Sequence, residues 1–495
     1  MISHHAGQRH GQSYTDDEYF ASPTTQSHYQ SGHPALPRPI ITQTEAVPSP
    51  SDDPQEVDAA VREMSEQMGD LRMEIDSVAP YIANEKKNLA ETPAVEDADV
   101  HLLPSVSNDS TVRIPPEMMP SEERALDYFG YFFNYVHPYV PVLNRQAFYD
   151  QWRTARHSIS PLILEGIFAC VSCYLEDPVE VKRWLALASR HEESFKDVPR
   201  LSTIQAMIIL TKARESIPRR GYYYRSWMAV KYMTTMAFDI GLHDHLDQHR
   251  GSMRCRLNTS DCMIRTRVWQ TLFLMEILVG APQGRTDFAV ELESVDFTVR
   301  PPSSEVDEFE YQTSRRTTYF TQAVRNIKQT NTLWQSMRRQ KKEWALDPMF
   351  VRQNEVIKTW LTKLPPDMQV QYADDDSPPW LGGNHHVAYL HAYHHLVVIM
   401  HHRPQLQTLL EKGDPNFKKH LEICNDSASL MCRLQEAVYR DFGLHGLQFM
   451  QRGIGFTIYS VLTCTMLHLV SSAHRYDDIR LTTLIGDDHV TRSNN

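Results

Sequence analysis

Tyr222-Tyr-Tyr-Arg-Ser-Trp227-Met-Ala-Val-Lys-Tyr232-Met-Thr-Thr-Met236-Ala-Phe238-Asp-Ile240-Gly241-Leu242-His243 places its apolar residues three and four apart and then meets a glycine. That spacing is one face of an α-helix, and the glycine is a natural C-terminal stop. A second pattern opens at Arg265-Thr-Arg267-Val268-Trp269 and runs through Leu272-Phe273-Leu274-Met275-Glu276-Ile277-Leu278 to Gly284-Arg285, Val295-Asp296-Phe297 and Pro301-Pro302. It reads as a buried amphipathic helix, a Gly-Arg turn and an extended proline exit. The two patterns together predict an all-α fold.

Upstream of this stretch, Ser121 suits an N-cap, and Glu122 and Glu123 suit the positive end of a helix. Ala125, Leu126, Phe129, Phe132, Phe133 and Val136 then build one apolar face. His137-Pro138-Tyr139-Val140-Pro141-Val142-Leu143 stops that helix, and Phe148 and Trp152 lie on the next. Downstream, Trp360-Leu361-Thr-Lys-Leu364-Pro365 reads as a helix end before a polar loop, Asp374 to Asn384. A histidine-rich helix from Leu390 follows and is expected to end at Arg403-Pro404.

In this order the passages resemble the middle homology region of fungal zinc-cluster transcription factors, the fungal-specific transcription factor domain, over residues 119–475. The positions that carry the resemblance are Trp227, Gly241, Leu242, His243, Arg267, Trp269, Gly284, Arg285, Arg403 and Pro404, taken as structural residues of the family motif. The resemblance implies a nuclear regulator of RNA polymerase II transcription and no enzyme. Its implied partners are DNA, a second chain in a homo- or heterodimer and transcriptional coregulators; a small-molecule effector is expected from the large apolar domain without catalytic residues.

The family's DNA module holds two zinc ions with six closely spaced cysteines. No cysteine precedes Cys170 in this sequence. No catalytic, DNA-binding or metal-binding residue is therefore assigned, and zinc is expected only if a cysteine cluster lies upstream of Met1. Two readings stay open: the regulatory portion of a DNA-binding protein, and a modulator that acts through partners without touching DNA.

The remaining segments give the domain plan. Residues 1–55, rich in His, Gln, Ser, Pro and Thr, predict a disordered arm. In 56–80, Val57, Val61, Met64, Met68, Leu71, Ile75 and Val78 alternate four and three apart, the seam of a short dimeric coiled coil or of an amphipathic helix lying on its own domain. Gly69 and Pro80 weaken that seam. An acidic, proline-bearing linker at 81–118 leads to the large helical domain at 119–475, and a polar tail closes the chain at 476–495.

Composition excludes several function classes. A net charge of −12 is unsuited to coating nucleic acid by electrostatics alone. The seven cysteines, scattered through apolar stretches, read as reduced thiols, Cys170-Val-Ser-Cys173 included. Gly453 to Ala473 is long enough to span a bilayer, yet Thr457, Ser460, Thr463, Thr465, His468, Ser471 and Ser472 predict a buried helix and no membrane partner. Arg338-Arg-Gln-Lys341-Lys342 reads as a solvated helix face or a nuclear address.

The rival for chemistry is the set of seven histidines in 385–402, the basis of a third reading as a helical metal-dependent enzyme. His391, His395 and His402 share a face, but His391 and His402 are about 16 Å apart along a helix, so one ion could use only His391 and His395. A packed helix with some exposed histidines is the expectation.

Overall fold

The structure, a computed structural model, describes residues 112–472 except 216, 218–221, 253–254, 341–346, 451 and 453–454. The arm, the heptad segment with Val57 to Val78, the linker up to 111, Lys341, Lys342 and the tail lie outside the described residues.

Among the described residues there are α-helices and no strand, so the fold is all-α. Helix α1 (Glu122–Tyr131) starts where the Ser121 side chain accepts the Arg124 N–H at 3.3 Å, and passes into one wider turn, Phe132–Val136. Helix α2 (Arg145–Thr154) is capped by Asn144 and buries Phe148 and Trp152. Phe129 meets both rings edge-on at 4.8 Å, which joins α1 to α2. Helix α3 (Pro161–Tyr174) is buried on nearly every side because α1, α4 (Pro178–Lys196) and α5 (Leu201–Glu215) pack around it. The Cys170 and Cys173 thiols donate to the α5 carbonyls of Ile209 and Ala213.

From α5 the helices pack in sequence: α6 (Tyr222–Asp239), α7 (Thr259–Gly280) and α8 (Glu308–Gln340). Then α10 (His385–Glu411) packs on α8 and on α11 (Phe417–Gly446), with α9 (Pro348–Thr362) against α8 and α10. A last helix, α12, occupies Gly455–Ser472.

Glycine ends both helices of the deciding stretch by the same device. After α6, Gly241 takes φ +68, its N–H reaches Phe238 O at 3.0 Å, and the Leu242 N–H reaches Ala237 O at 2.9 Å. After α7, Gly284 takes φ +67, its N–H reaches Ala281 O at 2.9 Å, and the Arg285 N–H reaches Gly280 O at 3.1 Å. These paired bonds satisfy carbonyls that a helix end leaves over, and they need a residue tolerant of the left-handed region.

Three expectations are corrected. Helix α10 does not end at Arg403-Pro404; it runs on to Glu411 and stops at Gly413, φ +66. Pro404 forfeits one backbone bond to residue 400, but the buried Leu406 and the Thr408 hydroxyl bonded to Pro404 O hold the next turn. None of the seven histidines of 385–402 is exposed, each being 2–7% accessible, because α8, α9 and α11 cover the helix that carries them. Trp360 stacks on His394 at 5.5 Å and Phe350 on His401 at 3.9 Å, and burial pushes both imidazoles down to about 4.

Lastly, α12 is buried on one side only. Phe456, Cys464 and Leu467 face inward, while Ile458, Val461 and Leu469 are exposed. The helix is long and apolar enough to cross a membrane, with 33% of it buried in the fold. Its polar residues tie it to α11: Ser460 meets Gln435, and His468 Nδ1 lies 2.8 Å from Asn425 Oδ1.

Candidate functional site

Helix α7 organises the centre of the domain. Every residue from Arg267 to Gly280 is buried, so each polar side chain among them must find a partner inside. Arg267 donates to Leu143 O at 2.9 Å and to Glu310 Oε2 at 2.6 Å, and Glu310 Oε1 accepts the Arg145 N–H at 2.8 Å. One ion pair thus locks the α1–α2 turn, α7 and the start of α8 together. His137 adds to the lock, its Nε2 lying 2.9 Å from the same Leu143 oxygen. Glu276, fully buried, accepts the N–H groups of Ala289 and Val290 at 2.7 and 2.8 Å and the Lys231 ammonium at 3.0 Å, which pins the extended strap after Gly284.

The family-motif residues fall into groups along this frame. Trp227 lies against Gly280, where an added Cβ would come within 2.6 Å of its ring, and carries Lys231 and Arg285 on its faces at 4.4 and 5.4 Å. Gly241, Leu242 and His243 form the α6 stop, with the His243 ring against Phe238 and Trp269, and Trp269 donates to Ser294 Oγ at 3.0 Å. Arg267 serves the ion pair. Arg403 and Pro404 stand apart from all of these, on α10.

Arg403 and Pro404 line a cavity of about 110 Å³ at the C-terminal end of α7. Ile277 and Leu278 come from α7, Ile327 and Trp334 from α8, Leu396 and Met400 from α10, and Phe456 and Tyr459 from α12. Two guanidinium groups, Arg403 and Arg452, are set into this largely apolar wall. The arrangement can hold a small, mostly apolar molecule and meet an acidic group on it.

Arg452 is positioned at some cost. It is a non-glycine residue at φ +67, a conformation that costs about 1–2 kcal/mol. Its backbone N–H donates to Glu215 Oε1 at 2.9 Å and its Nη1 to Leu278 O at 2.8 Å. Glu215 in turn accepts from the buried Lys212 at 2.9 Å, and Lys212 also donates to the carbonyls of Gln448 and Met450. Sequence reasoning did not find Arg452, Glu215 or Lys212. The only signal, a Lys and a Glu three apart on a helix, is the usual mark of a solvated face.

The opposite end of α7 carries a different group. His245, His249, Cys255 and Cys262, which sequence reading left unrelated, bring their ligand atoms within 4.8 Å of one another beside a cleft of about 410 Å³. The α10 histidines do not converge in this way. His391 Nε2 is bound to Met368 O at 2.9 Å, and His402 meets His420 and Asn354.

Residues 130–345 match the family model described as fungal specific transcription factor domain. The match covers α2 to α8, hence α7 and all its partners before α10. Among curated proteins, cutinase transcription factor 1 alpha of Fusarium vanettenii is 25% identical over 198 residues, which is 36% of this chain and 20% of that relative. The chain therefore spans about a fifth of the length of that relative. No solved structure matches.

Proposed function

We propose that this chain regulates RNA polymerase II transcription in the nucleus, and that its helical domain is the regulatory part of a zinc-cluster DNA-binding protein. The match of residues 130–345 to the fungal specific transcription factor domain carries this reading, and the likeness to a cutinase transcription factor supports it. Val57, Val61, Met64, Met68, Leu71, Ile75 and Val78 would pair two chains, and DNA contact would fall to a cysteine cluster preceding them. The cavity beside Arg403 and Arg452 would receive a small apolar acid as effector, and coregulators would read the resulting state of the domain.

In a second reading, the chain acts on transcription through DNA-binding partners and makes no DNA contact itself. Tethering the chain to an unrelated DNA-binding domain in a fungal reporter strain tests both. A change in reporter output is expected, and a tethered chain that leaves the reporter untouched removes the regulatory assignment. Binding of this chain to DNA fragments in the absence of any partner would remove the second reading. For the effector, aliphatic and aromatic monocarboxylates should raise the Tm while their amides do not. A flat response to both would eliminate the cavity as an effector site.

A further inference from the structure

The connection between α6 and α7 is poor in core. Its described part is a set of turns and one 3-10 helix, Asp247–Ser252, yet it brings two imidazoles and two thiols together at the first turn of α7. Segments of this kind are held by something other than apolar burial. His245 is 4% exposed and its Nε2 has no hydrogen-bond partner, which is unusual for a buried imidazole nitrogen.

We propose that His245, His249, Cys255 and Cys262 bind one zinc ion as a closed structural site that fastens the α6–α7 connection to the start of α7. Two imidazole nitrogens and two thiolates are a tetrahedral zinc set, and the spacing His-x3-His-x5-Cys-x6-Cys lets one short loop supply all four. Cys262 Sγ lies 3.4 Å from His249 Nε2. A tetrahedral zinc with bonds of about 2.3 Å to sulfur and about 2.05 Å to nitrogen requires roughly 3.6 Å between such atoms.

The widest separation in the group, 4.8 Å, asks only for a small inward movement of side chains on a loop. Zinc with two thiolates is neutral, so the site adds no buried net charge. Arg300, paired with Asp296 at 3.0 Å, stands against Cys262 as a second-layer donor to a thiolate. The cleft lined by His249, Cys255 and Cys262 gives the ion a way in. Four protein ligands leave no open position, so the ion serves structure and not catalysis.

Elemental mass spectrometry on the purified full chain, made without a metal-binding tag, tests this. One zinc per chain is expected to survive dialysis, to be lost in a Cys255→Ser, Cys262→Ser double variant, and to persist in Cys173→Ser, whose thiol bonds Ala213 O. Should the double variant not fold, cobalt(II) exchanged into the unaltered chain gives the second readout. It should show tetrahedral absorption with thiolate charge transfer, which weakens in Cys255→Ser alone. A folded, zinc-free chain that takes up neither metal overturns the proposal. So does a disulfide between Cys255 and Cys262 in the native protein, or undiminished zinc in the double variant.

Discussion

The two ends of α7 differ in how far along the chain their neighbours come from. At the N-terminal end, His245, His249, Cys255 and Cys262 are supplied by one loop and one helical turn. At the C-terminal end, Ile277 and Leu278 face side chains from α8, α10 and α12, and Arg452 is placed by Glu215, 237 positions earlier in sequence. The local group can form as soon as its loop closes. The cavity exists only when the whole domain has packed.

The largest test of this contrast is Arg267, whose ion pair sits between the two ends. Arg267→Met leaves Glu310 buried without its counter-ion, and the loss should be about 3–5 kcal/mol in denaturant unfolding. Adding Glu310→Gln should recover part of it, and equal instability in the single and double variants would deny the pair its role.

Acid comes next. His394 and His401 on α10 are held down to about 4 by burial, while an unfolded imidazole titrates near 6.5. Below about pH 6.5 the unfolded chain takes up protons that the folded domain refuses. The contribution of these residues is complete above that pH and disappears as the pH falls through about 4. Denaturant midpoints should therefore drop steadily from pH 7 towards pH 4, and His394→Phe should flatten the slope.

Smaller changes separate packing from backbone strain. Gly280→Ala drives a methyl group into Trp227 and should cost about 1–3 kcal/mol, partly restored by Trp227→Leu. Gly241→Ala meets nothing within 4 Å, so its cost, about 1 kcal/mol, should come from φ +68 alone and shrink with Gly241→Asn. If the two alanine variants responded alike to truncation of Trp227, that separation would fail.

What was legible in the sequence follows the same division by distance. The α6 and α7 helices, their glycine stops, the Ser121 cap and the placement of Phe148 and Trp152 rest on contacts a few residues apart, and periodicity reports those. The 33-residue α8 went unread because its mean composition is polar and its apolar positions serve several neighbours in turn. Pro404 misled because a proline's local cost says nothing about the packing that outweighs it. The histidines of 385–402 were expected partly outside because polarity is visible in a sequence and the covering helices are not. The cavity was beyond reach, since Arg452 becomes a wall residue only through the buried Glu215 and Lys212. The His/Cys loop was within reach by spacing, since His245, His249, Cys255 and Cys262 follow one another closely in the sequence.

The grip of Lys212 and Glu215 on Gln448, Met450 and Arg452 changes the topology of cooperation in this domain. Helices that touch only their successors form an open file, which can peel from either end. Here α5 takes hold of a segment more than two hundred residues downstream, with Tyr174 adding a bond to Gln448 O at 3.1 Å. The file becomes a closed circuit. No helix inside it is terminal, so the row from α5 to α11 has no free end from which to peel.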